Sequence, residues 1–158
     1  MATPTTLPSS FSVGQTLTAA QMNSLRGAFR ILQVNYGFTQ VATSSASSTY
    51  VDTTLSATIT PTSASSRIFC IISQCGYSTA ASTGLNIRLV RDSTPLIAWT
   101  DLNFSLSVMQ HSFTVQDSPN TTSAITYKTQ MARNVGAGTV WTQVNNNLAT
   151  MTLLEVSS

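Results

Sequence analysis

His111 is the only histidine in the sequence, so a catalytic triad or a histidine-rich metal site would have to be built around it. An imidazole acting as general base needs a nucleophile or a carboxylate within hydrogen-bonding reach. No G-x-S-x-G elbow occurs, and neither Cys70 nor Cys75 stands at a recognised nucleophile spacing from His111. His111 therefore reads as a structural or surface histidine. The five carboxylates, Asp52, Asp92, Asp101, Asp117 and Glu155, are scattered singly. Glycoside hydrolysis would need two of them to converge in space. Asp92 and Asp117 open the turn sequences Asp92-Ser-Thr-Pro95 and Asp117-Ser-Pro-Asn120, where a side chain bonding its own backbone is the ordinary role. The expectation is a chain without catalytic residues, cofactor or metal ligands.

Four aromatics remain as candidates for recognition. Tyr77, Trp99, Tyr127 and Trp141 could form a sugar-stacking surface, and the same residue types serve as core or subunit-interface anchors. The cysteines lie five apart on one expected strand. At about 3.3 Å per residue this places them roughly 17 Å apart, far beyond the ~7 Å that a disulfide tolerates. Both read as small buried hydrophobes, which suits a chain folded in a reducing cytosol.

Charge is scarce. Lys, Arg, Asp and Glu make up 8% of the 158 residues, against about 25% in an ordinary soluble domain. Hydroxyl side chains fill the gap, with 23 Ser and 26 Thr. Thr suits a pleated strand and Ser its turns, so the bias points to an all-β protein with an uncharged polar surface. A net charge of +2 without a Lys/Arg cluster argues against nucleic acid as a partner. No apolar run approaches the ~20 residues of a membrane helix. The opening MATPTTLPSSFS has neither the basic start nor the apolar centre of a secretory signal.

The elements that must position these residues follow in order. Residues 1–16, with Pro4, Pro8 and a Ser/Thr run, read as an arm whose bulky apolar groups are few, Leu7 and Phe11 among them. Residues 17–30 read as a short helix. Thr18 and Gln21 have capping-box spacing, and Met22, Leu25 and Phe29 recur at helical intervals. Gly27 weakens that helix by ~1 kcal/mol, so it needs packing to persist. From residue 31 onward the pattern is strands. In Tyr50–Ile59 alternation points Val51, Leu55 and Ile59 inward, and Pro61–Ser66 turns the chain into Ile68–Ile72. The latter is apolar throughout, as in a strand covered on both faces. Gly84–Arg91 sends Leu85, Ile87 and Leu89 inward and Asn86 and Arg88 outward. Leu96–Trp99, Phe104–Gln116, Ala124–Ala132, Thr139–Val144 and Leu148–Val156 follow. Short strands with turns at this spacing predict an antiparallel β-sandwich, jelly-roll-like, over residues 31–158.

With these segments laid out, FSVGQTLTAAQMNSLRGAFRILQV, STYVDTTLSATITPTSASSRI and DSPNTTSAITYKTQ resemble small virion proteins of tailed bacteriophages, of the tail-fibre, head-fibre and decoration type. The element from Gly14 to Asn23 is similar to the N-terminal attachment region of many phage fibre and minor tail proteins. The resemblance implies a homotrimer with a β-rich body, located on the virion after assembly in the bacterial host cytoplasm. It implies contacts with capsid or tail components, and attachment through Leu7, Phe11, Leu17, Met22, Leu25 and Phe29. Other readings remain open beside the fibre or decoration role. One is a capsid cement protein stapling neighbouring capsomers, and another is a module binding a host surface glycan or receptor. A depolymerase is the enzymatic rival, and it lacks an evident carboxylate pair.

Overall fold

In the computed structural model the described residues are 31–102 and 106–157, together with positions 14, 16, 18 and 19. The arm and helix expected over residues 1–30 fall, those isolated positions aside, outside them. The described strands are β1 (Ile31–Thr39), β2 (Thr43–Ser45), β3 (Val51–Ile59), β4 (Arg67–Ser78), β5 (Leu85–Arg91), β6 (Thr94–Trp99), β7 (Met109–Asp117), β8 (Ile125–Arg133), β9 (Val140–Thr142) and β10 (Ala149–Val156). They form two antiparallel sheets. The first is centred on β4, which carries β7 along one edge and β10 followed by β9 along the other. Beyond these lie β1, paired with β10, and β2, paired with β9. The second sheet runs β3-β8-β5-β6.

Period-two alternation decides which residues meet between the sheets. Leu55 and Ile59 of β3, Ile72 of β4, Leu89 of β5, Tyr127 of β8 and Leu153 of β10 are buried in one cluster. Leu85, Ile87, Met131 and Val140 form a second. Leu85, Ile87 and Leu89 thus face the core as their alternation predicts. Asn86 is also buried, its Oδ1 accepting the Asp101 N–H at 3.0 Å, so only Arg88 of that face reaches outward.

Several expectations are corrected. Val51 is exposed, because it precedes an irregularity in the β3–β8 pairing between Asp52 and Ser56. β4 runs on to Ser78, and its expected run alternates: Ile68, Cys70 and Ile72 are buried, while Ile71 is exposed and Phe69 half-buried; farther on, Cys75 of that second face is buried. The strand expected from Phe104 begins at Met109, with Leu106 and Val108 outside it and exposed. The three-residue β2 has no apolar pattern by which to be foreseen.

β1 is turned inside out. Its outward positions are Val34, Tyr36 and Phe38, and its inward ones are Gln33, Asn35, Gly37 and Thr39. The inward amides serve the unpaired edge of β3: Asn35 Nδ2 donates to the Thr58 carbonyl at 2.7 Å and Gln33 Nε2 to the Thr60 carbonyl at 2.6 Å. This closes the corner between the sheets and covers an edge that would otherwise be open. Gly37 permits the approach, since a Cβ there would collide with the Ser56 carbonyl. The backbone atom cannot yield as a side-chain tip would, so Gly37→Ala should lower the free energy of unfolding by about 1–3 kcal/mol in urea titrations.

The same corner holds a fully buried carboxylate. Glu155 Oε2 accepts from Gln33 Nε2 at 2.6 Å, and Oε1 accepts from the Thr62 backbone N–H at 2.7 Å and its hydroxyl at 2.8 Å. Burial opposes the charge, but these hydrogen bonds outweigh it and hold the carboxyl below its ordinary value of 4.5. A carboxyl whose pKa falls on folding adds stability that is complete above the unfolded value and is lost as pH falls through the folded one. Urea midpoints taken from about pH 3 to about pH 7 should fall more steeply on acidification in the wild type than in Glu155→Gln. The variant should be the less stable of the two at neutral pH.

Candidate functional site

From Ser73 to Gly76 β4 advances three residues, while the neighbouring chain uses eight between their partners Thr150 and Thr142. The surplus cannot stay in the ladder and is extruded as the segment 143–148, which includes a 3₁₀ turn, Val144–Asn146. Gln143, Asn145 and Asn146 take left-handed backbone angles with φ of 54°, 56° and 55°. Asn tolerates this region better than most residues, and the Asn145-Asn-Asn147 run is the sequence signal for the turn. Non-glycine residues held there are strained, and such strain is concentrated at functional sites.

Opposite this segment β1 and β2 are separated at residues 40–42. The two interruptions line a cleft of about 700 Å³ formed by Gln40, Val41, Ala42, Gln143, Asn145 and Asn146. Gln40 Nε2 donates to the Asn146 carbonyl at 2.9 Å across it. Gln143 is fully buried, with neither amide atom hydrogen-bonded. A second hollow of about 370 Å³ is lined by Tyr77, Leu106, Val108, Val144 and Asn145, so Asn145 belongs to both. Amide groups offer paired donors and acceptors, and a tyrosine ring offers a flat face. Among the described lining residues there is no carboxylate, imidazole or thiol, and the amides and the ring suit a neutral hydroxylated ligand.

Of the four aromatics anticipated, the structure brings two together. Tyr77 and Trp141 are direct partners in the β4–β9 ladder and share the outer face of the first sheet. Trp99 stacks on Phe113 with ring centroids 3.9 Å apart and packs against both core clusters. Tyr127 is fully buried, its hydroxyl donating to Asp117 Oδ2 at 2.7 Å, and burial pushes its pKa up. The attachment candidates Leu7, Phe11, Leu17, Met22, Leu25 and Phe29 lie outside the described residues.

The titratable groups are each engaged separately. Asp117 also receives Arg91 at 2.7 Å, joining the two sheets at one end. Asp92 Oδ1 accepts the Thr126 N–H at 2.9 Å, so neither turn aspartate bonds its own backbone as its sequence position suggests. Lys128 and Gln130 both donate to Asp52 and hold its carboxyl below the usual range, and Asn134 donates to Asp101. No two carboxylates share a partner. His111 points inward beside Gln74, its ladder partner, and burial lowers its pKa. Cys70 and Cys75 are free and buried, and burial pushes the Cys70 thiol up to about 12. Among the described residues no three His, Cys, Asp or Glu side chains gather, and no helix is long and apolar enough to cross a membrane. The sequence pattern missed the amides of the cleft, because the two interrupted segments become neighbours only through strand pairing.

Neither a protein-family model nor a curated protein matches this sequence.

Proposed function

We propose that this chain is a structural virion protein of a tailed bacteriophage, a fibre- or decoration-type homotrimer displayed on the particle and held there by residues 1–30. Strand order carries the reading. Taking β1/β2 and β9/β10 each as one interrupted strand leaves eight, numbered in chain order. The first sheet then runs first–eighth–third–sixth and the second second–seventh–fourth–fifth. That order is the one expected of a jelly-roll sandwich, an architecture frequent in viral capsid and lectin domains. Fold alone does not specify function, and the further support is chemical. Among the described residues the carboxylates are individually engaged in hydrogen bonds that tie strands and turns together, and the cysteines are buried, roles that suit a structural protein.

Residues 1–16 carry too few apolar groups to offset their own ordering, at ~1–2 kcal/mol per residue for the backbone. A capsid or tail component is the surface we propose they bind. Deleting residues 1–16 should leave strand content and oligomeric mass unchanged in the purified protein, because the buried clusters are drawn from β3 onward. The deletion should abolish or greatly weaken incorporation into particles, measured by copy number per virion. Normal occupancy would place attachment in the β-domain.

The amide-lined cleft favours a second role, recognition of a neutral glycan. On a glycan array the wild type should then bind a subset of saccharides, with binding reduced at least tenfold in Tyr77→Ala and in Asn145→Ala, about 1.4 kcal/mol. An array with no signal above background removes this role and leaves the structural one intact.

A further inference from the structure

We infer that the outward strip of β1, Val34, Tyr36 and Phe38, is the line along which three copies of this chain meet, with the N-terminal segments leaving side by side at one end of the threefold axis. The inference rests on the homotrimer reading and assigns its contact surface.

Among the described strands β1 is the one whose alternation is inverted, with polar side chains turned to the core and large apolar ones turned away. Val34, Tyr36 and Phe38 are 56%, 55% and 65% exposed. The sheet register places them in three rows: Val34–Leu154–Phe69–Gln116, Tyr36–Thr152–Ile71–Thr114 and Phe38–Thr150–Ser73–Ser112. The rows grade from large apolar groups at the β1 edge to hydroxyls and amides at β7, and none contains a charged residue. The outer face of the second sheet is built differently. There Asp52, Lys128, Gln130 and Arg88 form a hydrogen-bonded chain, and the Arg88 guanidinium lies 4.0 Å from the Tyr50 ring centroid. One face carries a network of charges, and the other is uncharged in these rows and apolar along its β1 edge.

Three observations select a second and third copy as the occupant. Residues near a rotation axis meet their own equivalents, so like charges would repel there, and this strip carries none. The apolar groups lie on an edge strand at a corner of the molecule and not at the sheet centre. They repeat every two residues, about 6.6–6.8 Å apart, which forms a narrow line suited to convergence on an axis. Finally, the 30 residues that precede β1 join it at Ile31, at the end of the same strip. Convergence of three β1 strands would deliver three such segments to one place, where a particle could bind them together.

The test is light scattering of the purified full chain at micromolar concentration, with circular dichroism to verify the fold. The wild type should have three times the 16.8 kDa chain mass. Phe38→Glu and Tyr36→Glu should drop to one chain mass with unchanged strand content, since both positions are already solvent-facing in the subunit. Ser112→Glu, on the same face but at β7, should remain at three. Under oxidation Tyr36→Cys should yield a disulfide-linked dimer band within the trimer. A trimer that persists in both glutamate variants overturns the assigned contact and leaves the trimer reading standing. Should those variants unfold, absence of the Tyr36→Cys cross-link overturns it instead. A wild-type monomer removes both readings. A monomer in which Tyr36→Cys is alkylated only after deletion of residues 1–30 gives the strip to the N-terminal segment and overturns the inference.

Discussion

The corner built on Glu155 is the constraint that the remaining architecture depends on. A carboxylate enclosed between two sheets is tolerated only if its oxygens are occupied, and here Gln33 of β1 and Thr62 of the β3–β4 turn occupy them. β10, which bears the carboxylate, thereby fixes an edge strand from its own sheet and the turn leading out of the other. Because the corner is closed by amides and a carboxylate, β1 needs no inward apolar residues. Gly37 can then bring the strand backbone against β3, and Asn35 can reach the edge carbonyl of Thr58. The large side chains of β1 are released to the outside as a consequence. The polar corner and the apolar outer strip are two aspects of one arrangement.

Much of this fold was legible from alternation. Leu55, Ile59, Leu85, Ile87 and Leu89 occupy the core as their spacing requires, and the turns beginning at Asp92 and Asp117 fall where Asp, Ser and Pro cluster. What alternation cannot supply is direction. β1 and β3 both alternate, yet Val34, Tyr36 and Phe38 point away from the core while Leu55 and Ile59 point into it. The choice is made by the partners of Gln33 and Asn35, which lie far along the chain. The continuous apolar run of β4 misled for a related reason, since Ile71 is exposed and Phe69 half-buried on the face that turns away from the core. Glu155 read as one isolated carboxylate among five because its partners, Gln33 and Thr62, are remote in sequence. The cleft shows the same limit: Asn145-Asn-Asn147 announced a turn, but only the β2–β9 and β1–β10 pairings set it against Gln40.

The two outer faces express a division of labour that composition alone would not reveal. With 8% charged residues the chain has few ions to place, and the second sheet takes Asp52, Lys128 and Arg88 for its outward surface. Exposed pairs of this kind add little stability, typically about 0–1 kcal/mol, so solubility is the more direct return from that placement. The first sheet's outer rows receive Thr, Ser and Gln toward β7 and apolar side chains toward β1. A hydroxyl- and amide-covered sheet next to an apolar corner can be wetted on one side and covered on the other without any residue changing conformation.

The extruded segment gives the first sheet a concavity that regular pairing would not. In an uninterrupted ladder, β9 and β10 would run as one strand beside β4 and leave no concavity. Matching breaks in the two outer strands keep pairing intact on either side, so Trp141 still lies beside Tyr77 and Ala149 beside Thr39. The backbone between them is free to take the left-handed angles of Gln143, Asn145 and Asn146. Like the left-handed Ser82, Asp92, Asp101 and Asn120, these residues lie in connections between strands, where irregular backbone costs least. The side chains presented are amides, whose hydrogen-bonding groups stay neutral across the physiological pH range. A surface of that kind can select a partner by the arrangement of that partner's hydroxyls.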